Sequence, residues 1–181
     1  ILDITIQGLL NSKSHYKDVD IVVSSCTKYI GGHNDVLGGY VVCQNEPLFY
    51  TLWDERSMRG GIIDNQNAYF LLRSLRTYDI RINKTLENTS KVLLFLRKNS
   101  LVKKIYYPGQ YENSYQNNLF EMEHHNGMGM VTFELSADVP VEENLTSLCS
   151  IKMAPSFGSV DSLIECPLFM SYSPDHYFEA K

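Results

Sequence analysis

A short cluster of reactive side chains stands near the start of the chain. Ser25, Thr27 and Lys28 follow an apolar segment, and Asp3 lies twenty-five residues before the lysine. A lysine amine can hold an aldehyde cofactor covalently, a carboxylate can keep a pyridine nitrogen protonated, and short hydroxyls can bind a phosphate. These are the groups that pyridoxal phosphate requires. A lysine after a strand is, by itself, more typical of a solvated surface, so further matches are needed to support this chemistry.

The elements around this cluster are predicted to deliver it to one edge of a sheet. Residues 20–25 form a β-branched apolar run that predicts a buried strand, and residues 40–43 predict a second one. The glycines between them, at positions 31, 32, 38 and 39, permit tight turns and close backbone approach. In open α/β sheets, ligands bind beyond the carboxyl ends of strands, so Lys28 is well placed for chemistry.

Helices and smaller strands are predicted further along the chain. Asp64 can cap a core-facing helix, and a second helix is expected to end near Asn99. The apolar residues that predict the two helices are Ala68, Leu71, Leu72, Leu75, Tyr78 and Ile82 in the first and Leu86, Val92, Leu93 and Leu96 in the second. Strands are expected at residues 102–107, 128–135 and 151–153, and a short helix at 141–149. Strands that lead into glycine-rich loops precede residue 85 and smaller α+β elements follow it, which suggests two lobes.

Composition excludes several classes of partner. The 181 residues carry 16 Lys+Arg against 21 Asp+Glu, which gives a net charge of -5, a poor match for nucleic acid. No apolar run approaches the roughly 18–20 residues that span a bilayer, so a membrane is not expected either. Four widely separated cysteines favour reduced thiols and a cytoplasmic location rather than a metal site or a redox motif.

Several segments together resemble the cysteine and methionine metabolism family of pyridoxal phosphate enzymes. The family includes cystathionine γ-synthase, the cystathionine lyases, methionine γ-lyase and the homoserine sulfhydrylases. The resemblance extends over essentially the whole chain in the family's order and spacing, and it is carried by residues 25–39, 73–81, 102–109, 127–134 and 154–165.

The resemblance implies a role for each candidate residue. Lys28 would bind the cofactor aldehyde and, once displaced by the substrate amine, move protons between substrate carbons. Asp3 would pair with the pyridine nitrogen, and Ser25 and Thr27 would donate hydrogen bonds to the phosphate. Ser156 would lie near the substrate carboxylate. The implied fold is α/β, a partial fold-type I transferase: residues 1–84 belong to the large cofactor domain and residues 85–181 to the smaller α+β domain.

The family's activity would be trans-sulfuration. The amino-acid sequences of residues 34–37 and 154–158 favour cystathionine γ-synthase within the family. We therefore expect γ-replacement on an activated homoserine by a thiol. The alternatives are a cystathionine or methionine γ-lyase and a homoserine sulfhydrylase. The family also implies a homotetramer built from dimers. The resemblance covers neither the family's amino-terminal part nor its extreme carboxyl end, so a non-catalytic piece that keeps only the fold and the oligomer contacts is an alternative of another class.

Other candidate groups are weaker. His33 and Asp35 could form an acid/base pair, although a structural role in the glycine-rich segment is favoured. His124 and His125 beside two glutamates could bind a metal, but adjacent histidines in a polar loop are more typical of a solvated surface. No metal is expected.

Overall fold

The computed structural model describes residues 1–9, 19–108, 128–136, 139–141, 143, 147 and 150–167. Within these residues the chain forms three α-helices and seven strands. None of the helices formed there combines the length and apolarity needed to cross a membrane.

The first sheet contains the predicted strands around the candidate cluster. Its strands are β1 (Leu2–Asp3), β2 (Ile21–Ser25) and β3 (Gly39–Cys43), in the order β1-β2-β3. β1 runs parallel to β2, whereas β3 runs antiparallel to it. Val22 and Ser24 of β2 are buried and their neighbours are only partly covered, as expected for a strand with one face against the core.

A single helical turn follows β2 where the sequence predicted a loop. This turn, Cys26–Ile30, is called the Lys28 turn below. It is wound through Gly31, whose N–H donates to the Cys26 carbonyl at 2.7 Å, and Gly32, whose N–H donates to the Lys28 carbonyl at 2.8 Å. The Cys26 N–H donates to the Gly38 carbonyl at 2.8 Å, so the glycine-rich loop closes back onto the end of β2.

Three helices follow, and the first of them was not predicted. The helix α1 (Glu46–Arg59) begins after Asn45, whose side chain accepts a hydrogen bond from the Leu48 N–H, and ends at Gly60 in the left-handed conformation. An amide cap before the helix and a glycine after it are the ordinary signals of a helix start and stop. These signals were available in the sequence, but no residue of α1 is buried, so the apolar periodicity that revealed the other helices is weak here.

The predicted helix from Asp64 through Ile82 is two helices in the structure. The first, α2 (Asn65–Leu75), begins at Asp64, whose carboxylate accepts from the Gln66 and Asn67 N–H groups. The second, α3 (Tyr78–Lys98), continues without interruption across the predicted gap between Ile82 and Leu86. The predicted break between Ile82 and Leu86 was therefore wrong, and the chain turns at residues 76–77 instead. Apolar spacing alone did not locate this turn, because the spacing continues from α2 into α3.

The prediction that this segment faces the core holds only in part. Leu71 packs against the core and Tyr78 and Ile82 are buried, whereas Leu72 is 67% exposed and Leu75 41% exposed. Leu72 follows Leu71 by one position, about 100° around the helix, and therefore lies to one side of the contact between α2 and the Lys28 turn. Leu75 is the last residue of α2.

The remaining strands form two small sheets. β4 (Val102–Tyr106) pairs antiparallel with β5 (Thr132–Leu135), and β6 (Lys152–Met153) pairs parallel with β7 (Leu163–Ile164). β5 begins at Thr132, four residues later than predicted, and Met128 at the predicted start adopts φ 57°, which is incompatible with a strand. The helix expected at 141–149 falls largely outside the described residues.

One buried cluster joins the Lys28 turn to α3. Cys26, Tyr29 and Ile30 pack against Tyr78, Ile82 and Met128. Burial of this kind stabilises a side chain by about 1.5–3 kcal/mol relative to exposure. The division into residues 1–84 and 85–181 stays a prediction, and α3 runs continuously across that boundary.

Candidate functional site

Lys28 lies in the middle of the turn that ends β2. Its backbone, with φ -86° and ψ -124°, interrupts the helical conformation of the turn, and its side chain is partly buried. The Cys26 side chain on the same turn is buried, and this burial raises the pKa of its thiol. The turn therefore presents the lysine while it buries the cysteine.

Asp3 and Ser25 share one face of the first sheet. Asp3 pairs with Val23 across β1 and β2, and Ser25 lies two residues beyond Val23 on the same strand. Paired residues and residues two apart point to the same side of a sheet, so the carboxylate and the hydroxyl lie on one face. They also lie at the carboxyl ends of two parallel neighbours, where ligands of α/β sheets bind.

Thr5, which the sequence analysis did not single out, links these two residues. Its N–H donates to Asp3 Oδ1 at 2.8 Å, and its Oγ1 accepts from the Ser25 N–H at 2.8 Å. Hydrogen bonds from the Thr5 side chain and then from its backbone hold the pKa of Asp3 below its ordinary value. The carboxylate is therefore charged at neutral pH, as a partner of a protonated pyridine nitrogen must be. The only sign of this contact in the sequence is a threonine two residues after an aspartate.

Thr27 is held against the glycine-rich loop. Its Oγ1 accepts a hydrogen bond from the Gly38 N–H at 3.2 Å and contacts the Gly38 carbonyl oxygen at 3.5 Å. The 3.5 Å contact is too long to be a strong hydrogen bond. The hydroxyl thus keeps a proton that it can donate to a stronger acceptor such as a phosphate oxygen.

Ser156 reaches the site from the far end of the chain. Lys28 Nζ donates to Ser156 Oγ at 3.1 Å, although the two residues are 128 positions apart. The same amine lies 4.9 Å from the centre of the Phe157 ring, within range of a cation–π contact. Gly158, at φ 84°, packs so closely that a Cβ there would lie 2.7 Å from the Tyr29 nitrogen and 3.0 Å from the Lys28 carbonyl carbon.

An open cavity of ≈500 Å³ lies beside Thr27 and Ser156. Both Thr27 and Ser156 line it, together with the Lys152 and Asp161 side chains, which form an ion pair at 3.7 Å. A cavity of this size matches those that hold small-molecule ligands, and its polar groups include both charge signs.

The donor set therefore fits pyridoxal phosphate. The carboxylate of Asp3 and the hydroxyl of Ser25 lie at the carboxyl ends of β1 and β2, and the turn that follows β2 carries the Thr27 hydroxyl and the Lys28 amine. Each group has the chemistry expected for one part of that cofactor. Within the described part of the chain, no group of three or more His, Cys, Asp or Glu residues could hold a metal ion.

The alternative candidates are placed as follows. His33 Nδ1 lies 2.7 Å from the Gly31 carbonyl oxygen and 3.4 Å from Ser74 Oγ, contacts that suit a structural role in the loop. His124 and His125 lie outside the described residues.

Comparison with known proteins identifies the family. The family described as "Cys/Met metabolism PLP-dependent enzyme" matches residues 1–176, so this chain belongs to that family. The expected family and its cofactor, pyridoxal phosphate, are thereby confirmed.

Individual relatives support the same assignment. Cystathionine gamma-lyase of Bacillus subtilis (strain 168) is 33% identical over 154 residues, which cover 85% of this chain and 40% of that protein. Chloroplastic cystathionine gamma-synthase 1 of Arabidopsis thaliana is 32% identical over 174 residues, covering 94% of this chain and 30% of that protein. This chain thus spans less than half the length of either relative.

A solved structure confirms the fold. Cystathionine gamma synthase from Xanthomonas oryzae pv. oryzae, in complex with aminoacrylate and cysteine, superposes with a TM-score of 0.86 at 29% identity. The match covers 98% of this chain and 47% of that one. The predicted α/β fold of type I pyridoxal phosphate enzymes, present in part, is therefore confirmed. Other relatives are named as cystathionine beta-lyases and L-methionine gamma-lyases, so the comparisons support trans-sulfuration enzymes as a group.

Proposed function

We propose that this chain carries the cofactor lysine of a trans-sulfuration enzyme and that Lys28 is that lysine. The hydrogen bond between Lys28 Nζ and Ser156 Oγ carries the proposal, because it joins the amine to a residue expected beside the substrate. Bound pyridoxal phosphate supplies an electron sink for charge that develops at the α-carbon of an amino acid. Every other role falls to the side chains of the protein.

Each side chain has one task in this proposal. Asp3 holds a proton on the pyridine nitrogen, and Ser25 and Thr27 bind the phosphate. Lys28 holds the cofactor between turnovers and moves protons at the substrate carbons when its amine is free. Ser156 positions that amine next to the substrate carboxylate, and the lining with Lys152 and Asp161 accepts the rest of the substrate.

We infer that the reaction is γ-replacement of the cystathionine γ-synthase kind. In such a reaction, a thiol forms a bond to the γ-carbon of an activated homoserine as the ester group departs. The motifs at residues 34–37 and 154–158 favour this activity over a γ-lyase or a homoserine sulfhydrylase. The homotetramer and the cytoplasmic location stay predictions from the family.

A cofactor-trapping experiment tests the assignment of Lys28. The chain is incubated with pyridoxal phosphate, reduced with borohydride and mapped by mass spectrometry. We expect one dominant adduct on Lys28, which disappears in Lys28→Ala and persists in Lys103→Ala, a matched change at an exposed lysine of β4. Equal labelling of many surface lysines, or an unchanged total in Lys28→Ala, would refute the proposal.

Product analysis separates the candidate reactions. The loaded chain is supplied with an activated homoserine ester and cysteine. Cystathionine indicates γ-replacement, whereas a keto acid and ammonia indicate γ-elimination. An adduct on Lys28 without either product would favour the non-catalytic alternative.

A further inference from the structure

Arg81 of α3 reaches across to the Lys28 turn. Its Nη1 donates to the Tyr29 carbonyl at 2.9 Å, and its Nη2 donates to the Ile30 carbonyl at 3.0 Å. The guanidinium also donates two hydrogen bonds to the end of α2 and the turn after it. These run from Nη2 to the Ser74 carbonyl at 3.1 Å and from Nε to Thr77 Oγ1 at 3.3 Å. All four acceptors are neutral oxygens.

The two carbonyls on the turn need donors from elsewhere. The last carbonyls of a helical turn have no partner within it, and a buried carbonyl without a donor costs about 1–3 kcal/mol. Tyr29 and Ile30 are both buried and stand at the end of the Lys28 turn. The forked guanidinium supplies both donors from one rigid plane, which a lysine ammonium does not reproduce.

Placing Arg81 there has a cost that the contacts must offset. The side chain is partly buried, and its burial lowers the pKa of the guanidinium by disfavouring the charged form. An arginine on a helix surface could keep its charge in water, so its inward position indicates that the carbonyl contacts matter for the Lys28 turn.

The glycine after the turn is shaped to admit the guanidinium. Gly32 has φ 71°, and a Cβ there would lie 2.0 Å from Arg81 Nη1. The Gly32 carbonyl accepts from the Val160 N–H at 2.9 Å, so the chain segment that carries Ser156 is fixed to the same residue. The guanidinium and residue 160 thus hold the turn from two directions.

We propose that Arg81 is a positioning residue that fixes the backbone immediately after Lys28 and so aims the lysine amine at Ser156. The inference rests on the proposed cofactor role of Lys28. Arg81 acts through the carbonyls of Tyr29 and Ile30. Without it, the turn samples other conformations and the amine spends less time in the position that binds the aldehyde.

Amide hydrogen exchange on the chain tests the effect on the turn directly. In Arg81→Met, exchange at the Gly31 and Gly32 N–H groups, which close the turn, is expected to accelerate about tenfold or more. In Arg81→Lys, the exchange rates of these two amides are expected to lie between those of Arg81→Met and the wild type. Arg97→Met, at an exposed arginine near the end of the same helix, should leave both amides unchanged.

Cofactor trapping gives the functional readout. At limiting pyridoxal phosphate, the borohydride-trapped adduct on Lys28 is expected to fall about tenfold in Arg81→Met and to recover in part in Arg81→Lys. The amides of Leu93 and Leu96, buried further along α3, should keep their wild-type protection in both variants.

The outcomes separate this inference from the proposed function. Unchanged exchange at Gly31 and Gly32 in Arg81→Met would overturn it, and so would an equal acceleration at Leu93 and Leu96, which would indicate a general loss of stability. An unchanged adduct yield despite faster exchange would also overturn it. If the wild-type chain forms no adduct on Lys28, the cofactor role fails, whereas the exchange data still decide whether Arg81 fixes the turn.

Discussion

At the scale of single residues, the candidate site depends on short hydroxyl side chains that connect larger groups. Thr5 holds Asp3 and the start of the Lys28 turn together because it contacts both the carboxylate and the Ser25 N–H. Ser156 accepts a hydrogen bond from the lysine amine. A hydroxyl can donate and accept at once, so one small side chain fixes two neighbours.

Thr5→Val is expected to raise the pKa of Asp3 toward its ordinary value. Valine preserves the shape of the side chain and removes the hydroxyl, while the backbone bond from residue 5 remains. A carboxyl whose folded-state pKa is lowered contributes stability above its unfolded pKa, and that contribution is lost as the pH falls through the folded value. An NMR titration of the Asp3 carboxyl measures the change.

Thr51→Val is the matched control for this titration. Thr51 lies on the exposed helix α1, where its hydroxyl donates to the Pro47 carbonyl. It should leave the Asp3 titration at its wild-type position. If the pKa of Asp3 in Thr5→Val equals that in the wild type, the Thr5 hydroxyl does not lower the pKa of Asp3.

The residues that the sequence could name differ from those it could not. Asp3, Ser25, Thr27 and Lys28 could be named from residue types and spacing, and Ser156 because a family resemblance supplied it. Thr5 and Arg81 were missed because their contacts join positions 20 and 52 residues apart. Contacts of that kind are created by folding and leave little trace in local spacing.

At the scale of elements, the fit between the Lys28 turn and the segment at Gly158 decides whether Ser156 reaches the lysine. Gly158→Ala is expected to destabilise the chain by about 1–2 kcal/mol through its left-handed backbone alone. The added Cβ would also meet the Tyr29 nitrogen, so the trapped adduct on Lys28 should decrease as well. Urea unfolding and adduct mapping measure the two effects.

Gly61→Ala provides the comparison, since a Cβ at Gly61 would meet nothing within 4 Å. This variant should keep both wild-type stability and the wild-type adduct. If the two glycine variants behave alike, close packing at Gly158 is not what holds Ser156 near the amine.

The start of α2 provides a second test at this scale. Asp64→Ala removes the side chain that accepts from the Gln66 and Asn67 N–H groups, so thermal unfolding should begin a few degrees lower. These hydrogen bonds lower the pKa of Asp64, so the difference from wild type should be full at neutral pH and fade on acidification through the folded value. Asp54→Ala, at an exposed site within α1, is the control.

Secondary structure was predictable wherever a local pattern decides it. β2 and the capped start of α2 follow from β-branched runs and from Asp64. The turn between α2 and α3 could not be predicted, because the apolar spacing continues through it and the tertiary contacts of Tyr78 and Arg81 decide the new direction. α1 was missed for the opposite reason, since it buries nothing within the described residues.

At the scale of the whole molecule, the buried cluster between α3 and the Lys28 turn holds the site in place. Ile82→Ala is expected to cost about 2–5 kcal/mol because its side chain is 1% exposed and the cavity would be surrounded by packed neighbours. Ile80→Ala, two residues earlier on the same helix and 70% exposed, should change stability by no more than about 0.5 kcal/mol. Equal costs in urea unfolding would contradict the observed packing.

The unbroken helix α3 has a mechanical consequence for the chain. Its 21 residues extend about 30 Å, from Tyr78, which packs against the Lys28 turn, to the neighbourhood of β4. A rod of this length transmits tilt from one end to the other without a joint at residue 84. Any displacement of the β4–β5 ribbon is therefore expected to tilt α3 and, through the Arg81 contacts, to move the backbone of the Lys28 turn.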